Sequence, residues 1–193
     1  MKKILLSLPV LALLFAACQS NKISVSSVKT ENGTVSGAVC ADPEVLVFKG
    51  IPYAAPPVGE LRWKEPQPAA NWDGVRTCDA FGPNAMQNKP VSRPPYVSEF
   101  LIPADGKISE DCLYLNVWTP NAGDGAKRPV LFWLHGRGFF EGTGAEAWYN
   151  GARLASAGDV VVVTINHRLN VYGYLYLAEL GGEKYASSGI NGM

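Results

Sequence analysis

Pro129 to Gly144 reads PVLFWLHGRGFFEGTG, and its residue types point to one kind of chemistry. Five apolar residues, Val130 to Leu134, run into His135-Gly136-Arg137-Gly138-Phe139. The pattern is that of a buried strand ending in a glycine-rich turn, which brings backbone N–H groups to the edge of a sheet. Preorganised N–H donors at such a turn stabilise the negative oxygen of a tetrahedral acyl-transfer intermediate. Gly136, Arg137 and Gly138 are the candidates for such a turn, the alternative being a glycine-rich turn that only joins strand to loop. Arg137 stands out among them. A backbone donor survives a side-chain change only where the required φ and ψ are open to an L-residue, and glycine is used where they are not. The arginine also brings bulk and charge to the reacting centre, where it could weaken an oxyanion hole or favour anionic substrates. The sequence leaves both readings open.

An acyl-transfer site also needs an activated nucleophile and a base. No serine of the chain has glycine at both flanking positions of a G-x-S-x-G elbow. The only histidines are His135 and His167. Neither has an activated serine to serve, so both are read as structural. Phe139, Phe140, Trp148 and Tyr149 could line a pocket for the acyl or alcohol group, with Phe139 placed directly beside the turn. No cysteine or histidine spacing resembles a zinc site, and no metal or organic cofactor is implied.

The elements that must position this turn are legible on either side of it. Asp159 to Asn166 (DVVVVTIN) is a β-branched run typical of a strand buried on both faces. Ala147 to Ala157 reads as a short helix with Gly158 as its C-terminal cap. Strand, helix and parallel strand make a βαβ unit. Cys112 to Trp118 (CLYLNVW) alternates as another strand. Val28 to Lys49 holds two or three short strands, with turns at Asn32-Gly33 and Asp42-Pro43. Gly50 to Asp73 is rich in Pro, Gly and Trp and cannot be a regular helix, because proline removes donors and fixes φ. It reads as an ordered extended loop, and Phe81 to Lys107 as a second proline-rich connection.

Composition sets the outer bounds. The 193 residues are 47% hydrophobic and 18% charged, and 17 basic residues balance 17 acidic ones. That is a globular composition. There is no basic stripe, which argues against nucleic-acid binding. Residues 1–17 read as a signal peptide: Lys2 and Lys3, an apolar run from Ile4 to Phe15, then Ala16-Ala17-Cys18. These twelve residues, apolar apart from Ser7 and Pro9, are too few to span the hydrocarbon core. The small-small-Cys ending resembles a bacterial lipoprotein signal, with Cys18 lipidated as the new N-terminus. The alternative is ordinary secretion or a periplasmic location. Residues 18–27 then form a polar tether. Either route leads outside the cytoplasm, where disulfides persist. With Cys18 lipidated, Cys40, Cys78 and Cys112 allow one internal bridge at most.

Four segments in order give the chain a family resemblance. FKGIPYAAPP (Phe48 to Pro57) with Leu61-Arg62-Trp63, SEDCLYLNVWTP (Ser109 to Pro120), Pro129 to Gly144, and DVVVVTINHRLNVYGYL (Asp159 to Leu175) together resemble the type-B carboxylesterases. The resemblance covers most of Val28 to Met193. It implies the N-terminal part of an α/β-hydrolase fold: a mixed, mostly parallel central sheet with short antiparallel strands at its start, incomplete here. It implies a parent protein that is an exported serine carboxylesterase acting on small-molecule carboxylic esters. Gly136, Arg137 and Gly138 match the oxyanion loop, whose last two residues donate the N–H groups. The family's nucleophile, acid and catalytic histidine all lie beyond Met193 by resemblance, so this chain is expected to be inactive alone. A non-catalytic, esterase-like surface binding protein is the alternative. Arg62 and Glu110 match a structural ion pair of the family. Cys112 matches a cysteine that often forms a disulfide. Its usual partner position falls on Ala85, so either Cys78 substitutes, if its Cα comes within bridging distance, or Cys112 is a small buried thiol.

Overall fold

The computed structural model describes residues 27–41, 44–88 and 106–192. The expected signal peptide, Cys18, the expected tether up to residue 26 and the expected Asp42-Pro43 turn lie outside the described residues. The chain opens with β1 (Ser27–Lys29), β2 (Thr34–Ser36), β3 (Ala38–Ala41) and β4 (Glu44–Pro52). β5 (Val75–Thr77) and β6 (Tyr114–Thr119) follow. The last third holds β7 (Val130–Leu134), α1 (Ala152–Gly158), β8 (Val161–Ile165), α2 (Asn170–Tyr174) and α3 (Ala178–Gly181).

Two sheets result. A small one has the order β1-β2-β5, and the main one the order β3-β4-β6-β8-β7. β7 and β8 pair in parallel from Val130 opposite Val161 to Leu134 opposite Ile165. The three other pairings of the main sheet are antiparallel. The sheet is thus mixed, and the expected mostly parallel character is confined, among the described strands, to the end that carries the candidate site. The physical reason is connectivity. Only β7 and β8 are joined by a helical crossover, whereas β3 and β4 are sequential neighbours that pair antiparallel.

Strand β4 shows why the core sits where it does. Val45, Leu46, Val47 and Phe48 are all buried, so the strand is covered on both faces. Side chains alternate along a strand. Val45 and Val47 therefore pack with Trp118, Val162 and the α1 residues Ala152 and Ala155. Leu46 and Phe48 point the other way and pack with Val35 and Cys78 against the small sheet. A register shift between Phe48 and Ile51 marks a bulge, where the Gly50 N–H donates to Asn116 Oδ1 at 3.0 Å. A third cluster of Ala54, Ala85, Cys112, Leu113 and Leu169 lies under the proline-rich loop.

The helix of the βαβ unit is shorter than its sequence suggests. Ala147–Tyr149 forms a separate 3₁₀ turn and α1 begins only at Ala152. Gly151 lies between them, and a Cβ there would come 2.7 Å from Val162 and 3.1 Å from Trp118. The chain must therefore approach the sheet closely at that point, and the helical path breaks. The left-handed residue that closes α1 is Asp159, at φ 49°, rather than Gly158.

β7 is the edge of the main sheet. Its five residues, Val130 to Leu134, are 38–62% exposed although all are apolar. No helix of the described residues is long and apolar enough to cross a membrane.

Candidate functional site

The turn after β7 is held in an unusual backbone conformation. Arg137, Gly138 and Phe139 have φ values of 74°, 61° and 67°. Two of these are L-residues, which visit the left-handed region at a cost of roughly 1–2 kcal/mol each. The Phe140 N–H closes the turn on the Arg137 carbonyl at 3.2 Å. The N–H groups of Arg137 and Gly138 donate to no acceptor among the described residues. They stay available at the end of a parallel strand.

The surrounding structure over-determines this strained turn. Asn170, at the start of α2, donates its own N–H to the Phe139 carbonyl at 2.9 Å. Its side-chain amide donates to the carbonyls of Phe140 (2.8 Å) and Met86 (3.1 Å). Gln87 clamps the far side: its Nε2 donates to the Gly142 carbonyl at 2.9 Å, and the Gly142 N–H donates to its Oε1 at 2.8 Å. Asn166, just past β8, accepts from Thr143 Oγ1 and the Gly144 N–H and donates to the Pro83 carbonyl. Thr164 of β8 donates to the Gly144 carbonyl at 2.8 Å and accepts from Asn116 of β6 at 3.0 Å. A polar chain thus runs through the sheet from the β4 bulge to the loop. None of Gln87, Asn166 and Asn170 is singled out by sequence reasoning. Their partners are backbone groups up to 84 residues away, and no local spacing announces such bonds.

The two histidines lie together. Their rings stack with centroids 4.5 Å apart and planes 15° from parallel. His135 is 6% exposed and its Nε2 has no hydrogen-bond partner among the described residues. Burial, then the neighbouring His167 and the Arg137 charge, push its pKa down to about 4, against the opposing pull of the Gly136 carbonyl. Burial also lowers His167. Both are neutral at pH 7. The His135 Nδ1 contacts the Gly136 carbonyl, and the His167 Nδ1 contacts the Arg168 carbonyl and the Tyr174 hydroxyl. Among the described residues no serine hydroxyl touches either ring, so neither is placed to activate one of these. Gly142, at φ 120°, makes room for the stack, since a Cβ there would lie 2.9 Å from the His135 Cε1.

A cavity of about 400 Å³ opens beside Gly138, lined by Phe139, Phe140, Val171, Tyr174 and Leu175. The Phe139 and Tyr174 rings lie 4.7 Å apart and form its wall. Trp148 and Tyr149 lie elsewhere, against Arg137 and against Trp133 of β7 respectively. A second cavity, of about 300 Å³, lies between the two sheets, lined by Val28, Phe48, Val117 and Arg128, with no residue of the turn. Among the described residues no cluster of three metal-ligating side chains occurs.

Arg62 and Glu110 meet in a two-pronged ion pair, Nε to Oε2 at 2.5 Å and the second guanidinium nitrogen to Oε1 at 2.7 Å. Trp63 continues the clasp, donating to the Val171 carbonyl at 2.9 Å, and so ties the proline-rich loop to α2 beside the cavity. Arg168 is buried. One of its nitrogens donates to the Lys64 carbonyl at 2.9 Å, while Nε and the other terminal nitrogen have no partner among the described residues.

Of the two readings of Cys112, the structure has the buried thiol, and no Cys78–Cys112 bridge is formed. Both are free, buried thiols, in different core clusters. Ala85 packs in the cluster of Cys112. The geometry thus keeps the family's partner position beside Cys112, and Cys78 does not substitute for it. Burial pushes the Cys112 thiol up to about 12, so it is a poor nucleophile.

Comparison with known proteins places this geometry. The chain matches the model of the carboxylesterase family over residues 24–183. It is 43% identical over 154 residues to phenmedipham hydrolase of Pseudarthrobacter oxydans, covering 80% of this chain and 30% of that one. It is 38% identical over 161 residues to para-nitrobenzyl esterase of Bacillus subtilis, covering 83% and 31%. Among solved structures, a Geobacillus stearothermophilus carboxylesterase superposes with a TM-score of 0.75 at 47% identity, covering 87% of this chain and 31% of that one. The chain therefore spans about a third of the length of the relatives it matches.

Proposed function

The chain belongs to the carboxylesterase family, and from that premise we propose that it is the N-terminal part of an exported serine carboxylesterase and supplies the enzyme's oxyanion-binding element. The observation that carries this reading is the left-handed run from Arg137 to Phe139, which leaves the Arg137 and Gly138 N–H groups unclaimed at the end of β7. An ester carbonyl oxygen seated there would gain two donors as it becomes an oxyanion. One such donor is worth on the order of 10²–10³ in rate. The bonds from Gln87, Asn166 and Asn170 hold the turn before substrate arrives, so little reorganisation is left for the reaction step. The apolar cavity beside Gly138 suits an uncharged acyl or alcohol group. The attacking serine, its histidine and its acid would come from sequence outside this chain. His135 and His167 do not replace them, because both are buried, neutral and turned to backbone carbonyls.

The test has two arms. The 193-residue chain, incubated with p-nitrophenyl butyrate and a serine-directed phosphonate, should show neither turnover nor stoichiometric labelling. The whole reading frame that contains it should show both, at one serine. Turnover by the short chain would overturn the assignment of the missing groups. A complete protein that neither turns over ester nor takes the label would be the non-catalytic surface binder instead. Membrane attachment through a lipidated Cys18 is part of the same proposal. Cys18→Ser should release the protein into the soluble fraction and remove the added lipid mass, and equal fractionation of both forms would refute it.

A further inference from the structure

We propose that Glu146 is a positioning residue: it holds the Arg137 guanidinium away from the oxyanion turn, so that a turn carrying arginine still serves uncharged esters. This rests on the esterase reading for the substrate, but not for the lock itself. Arg137 contributes its backbone to the turn at φ 74°, so its side chain starts at the reacting centre. The side chain does not stay there. It is only 19% exposed, and its terminal nitrogen reaches Glu146 Oε2 at 3.2 Å. Glu141 approaches from the other side at 3.7 Å, and the guanidinium carbon lies 5.8 Å from the centre of the Trp148 ring.

Glu146 is built for this partner. Its side chain is 0% exposed, and no other cation pairs with it among the described residues. Its Oε2 also accepts the Trp148 indole N–H, while its Oε1 is buried without a partner. A carboxylate so placed is costly unless a cation compensates it, and removing that cation leaves an uncompensated buried charge. Arg137 and Glu146 therefore fix each other. With Glu141 added, the group carries one positive and two negative charges. The loop presents no net cation to the cavity beside Gly138, and an anionic acyl group finds no counter-ion there. Of the two readings of Arg137 open at the level of sequence, attraction of anionic substrates is thus switched off by Glu146.

Phenylglyoxal, which modifies exposed guanidinium groups, tests the lock without any enzymatic activity. Its reaction with the native chain is followed peptide by peptide by mass spectrometry. Loss of a charge-assisted bond worth about one power of ten or more should accelerate modification of Arg137 about ten-fold in Glu146→Gln. The buried Arg168 should keep its native rate in the same sample. An unchanged Arg137 rate, or an equal acceleration at Arg168, overturns the lock, the latter because it reports general loosening. In the whole reading frame, the preference for the anionic mono-p-nitrophenyl succinate over p-nitrophenyl butyrate should rise about ten-fold in Glu146→Gln. Glu146→Asp should restore it. An unchanged preference in an active enzyme overturns the substrate assignment. Absence of turnover in every variant fails the esterase reading alone, and the modification rates still decide the lock.

Discussion

Acid should unfold this chain through the stacked histidines. His135 sits at about 4 in the folded chain against 6.5 for the free side chain. The unfolded ring takes up a proton below pH 6.5 while the folded one stays neutral. The unfolded state therefore binds more protons, and stability falls as pH falls. The contribution is complete above pH 6.5 and is lost progressively down to pH 4. Each unit of the gap is worth about 1.4 kcal/mol, so the full loss is about 3 kcal/mol. His167, also lowered by burial, adds to it in the same direction. Glu146 opposes it, because burial holds its carboxyl above the ordinary value and the folded state takes up that proton first. Asp124, held at about 2 by Arg128, titrates below this window. The pair has no room to relax: Arg137, Phe139, Tyr174 and Gly142 surround it. The assay is urea unfolding at half-unit steps from pH 7.5 to 4, followed by tryptophan fluorescence at low micromolar protein. His135→Gln should flatten the profile. Equal stability at pH 7.5 and pH 4.5, or an unchanged slope in His135→Gln, would refute the argument.

Further tests follow from single packing and charge features. Gly142→Ala should destabilise by about 2–4 kcal/mol, through backbone strain and collision with the His135 ring, and an unfolding midpoint equal to wild type would contradict the packing described. Arg168→Met should stabilise this chain by roughly 1–3 kcal/mol, since it removes buried donors that lack partners; thermal unfolding would show it. Phe132→Lys, on the exposed β7 edge, should reduce self-association in light scattering without lowering the melting temperature, because edge charges block strand pairing. Cys78 and Cys112 should resist an aromatic disulfide reagent at pH 8 until denaturant is added, and rapid native reaction at Cys112 would be inconsistent with its burial.

The elements around the site were largely readable because their physics is local. A β-branched run such as Val160 to Thr164 has few other fates, and β6, β7 and β8 lie where alternation and apolar runs placed them. The N-terminal region holds four strands rather than two or three, because three-residue strands leave little periodicity to read. The helix start was misplaced because Gly151 answers to Val162 and Trp118 across the sheet, not to its neighbours in sequence. The same limit applies to the site. The turn and its candidate donors stand out as residue types, whereas the bonds from Gln87, Asn166 and Asn170 join distant segments. The direction of the Arg137 side chain was equally hidden, since it depends on where Glu146 comes to lie. The choice between a bridge and a free thiol at Cys112 was hidden for a similar reason, as Cys78 and Cys112 belong to different core clusters.

The order of the main sheet also carries a history of synthesis. β4 pairs with β6, yet about 60 residues of chain separate Pro52 from Tyr114. Closing a loop of that length has a length-dependent entropic cost of about 3–4 kcal/mol, whereas β6, β7 and β8 all fall between Tyr114 and Ile165. At translation rates of roughly 5–20 residues per second, β4 leaves the ribosome several seconds before its partner. Leu46 and Phe48 pack with Val35 and Cys78, which precede β6, whereas Val45 and Val47 wait for Trp118, Ala152, Ala155 and Val162. The hairpin of β3 and β4 thus waits for its neighbour in the main sheet until the chain has reached β6.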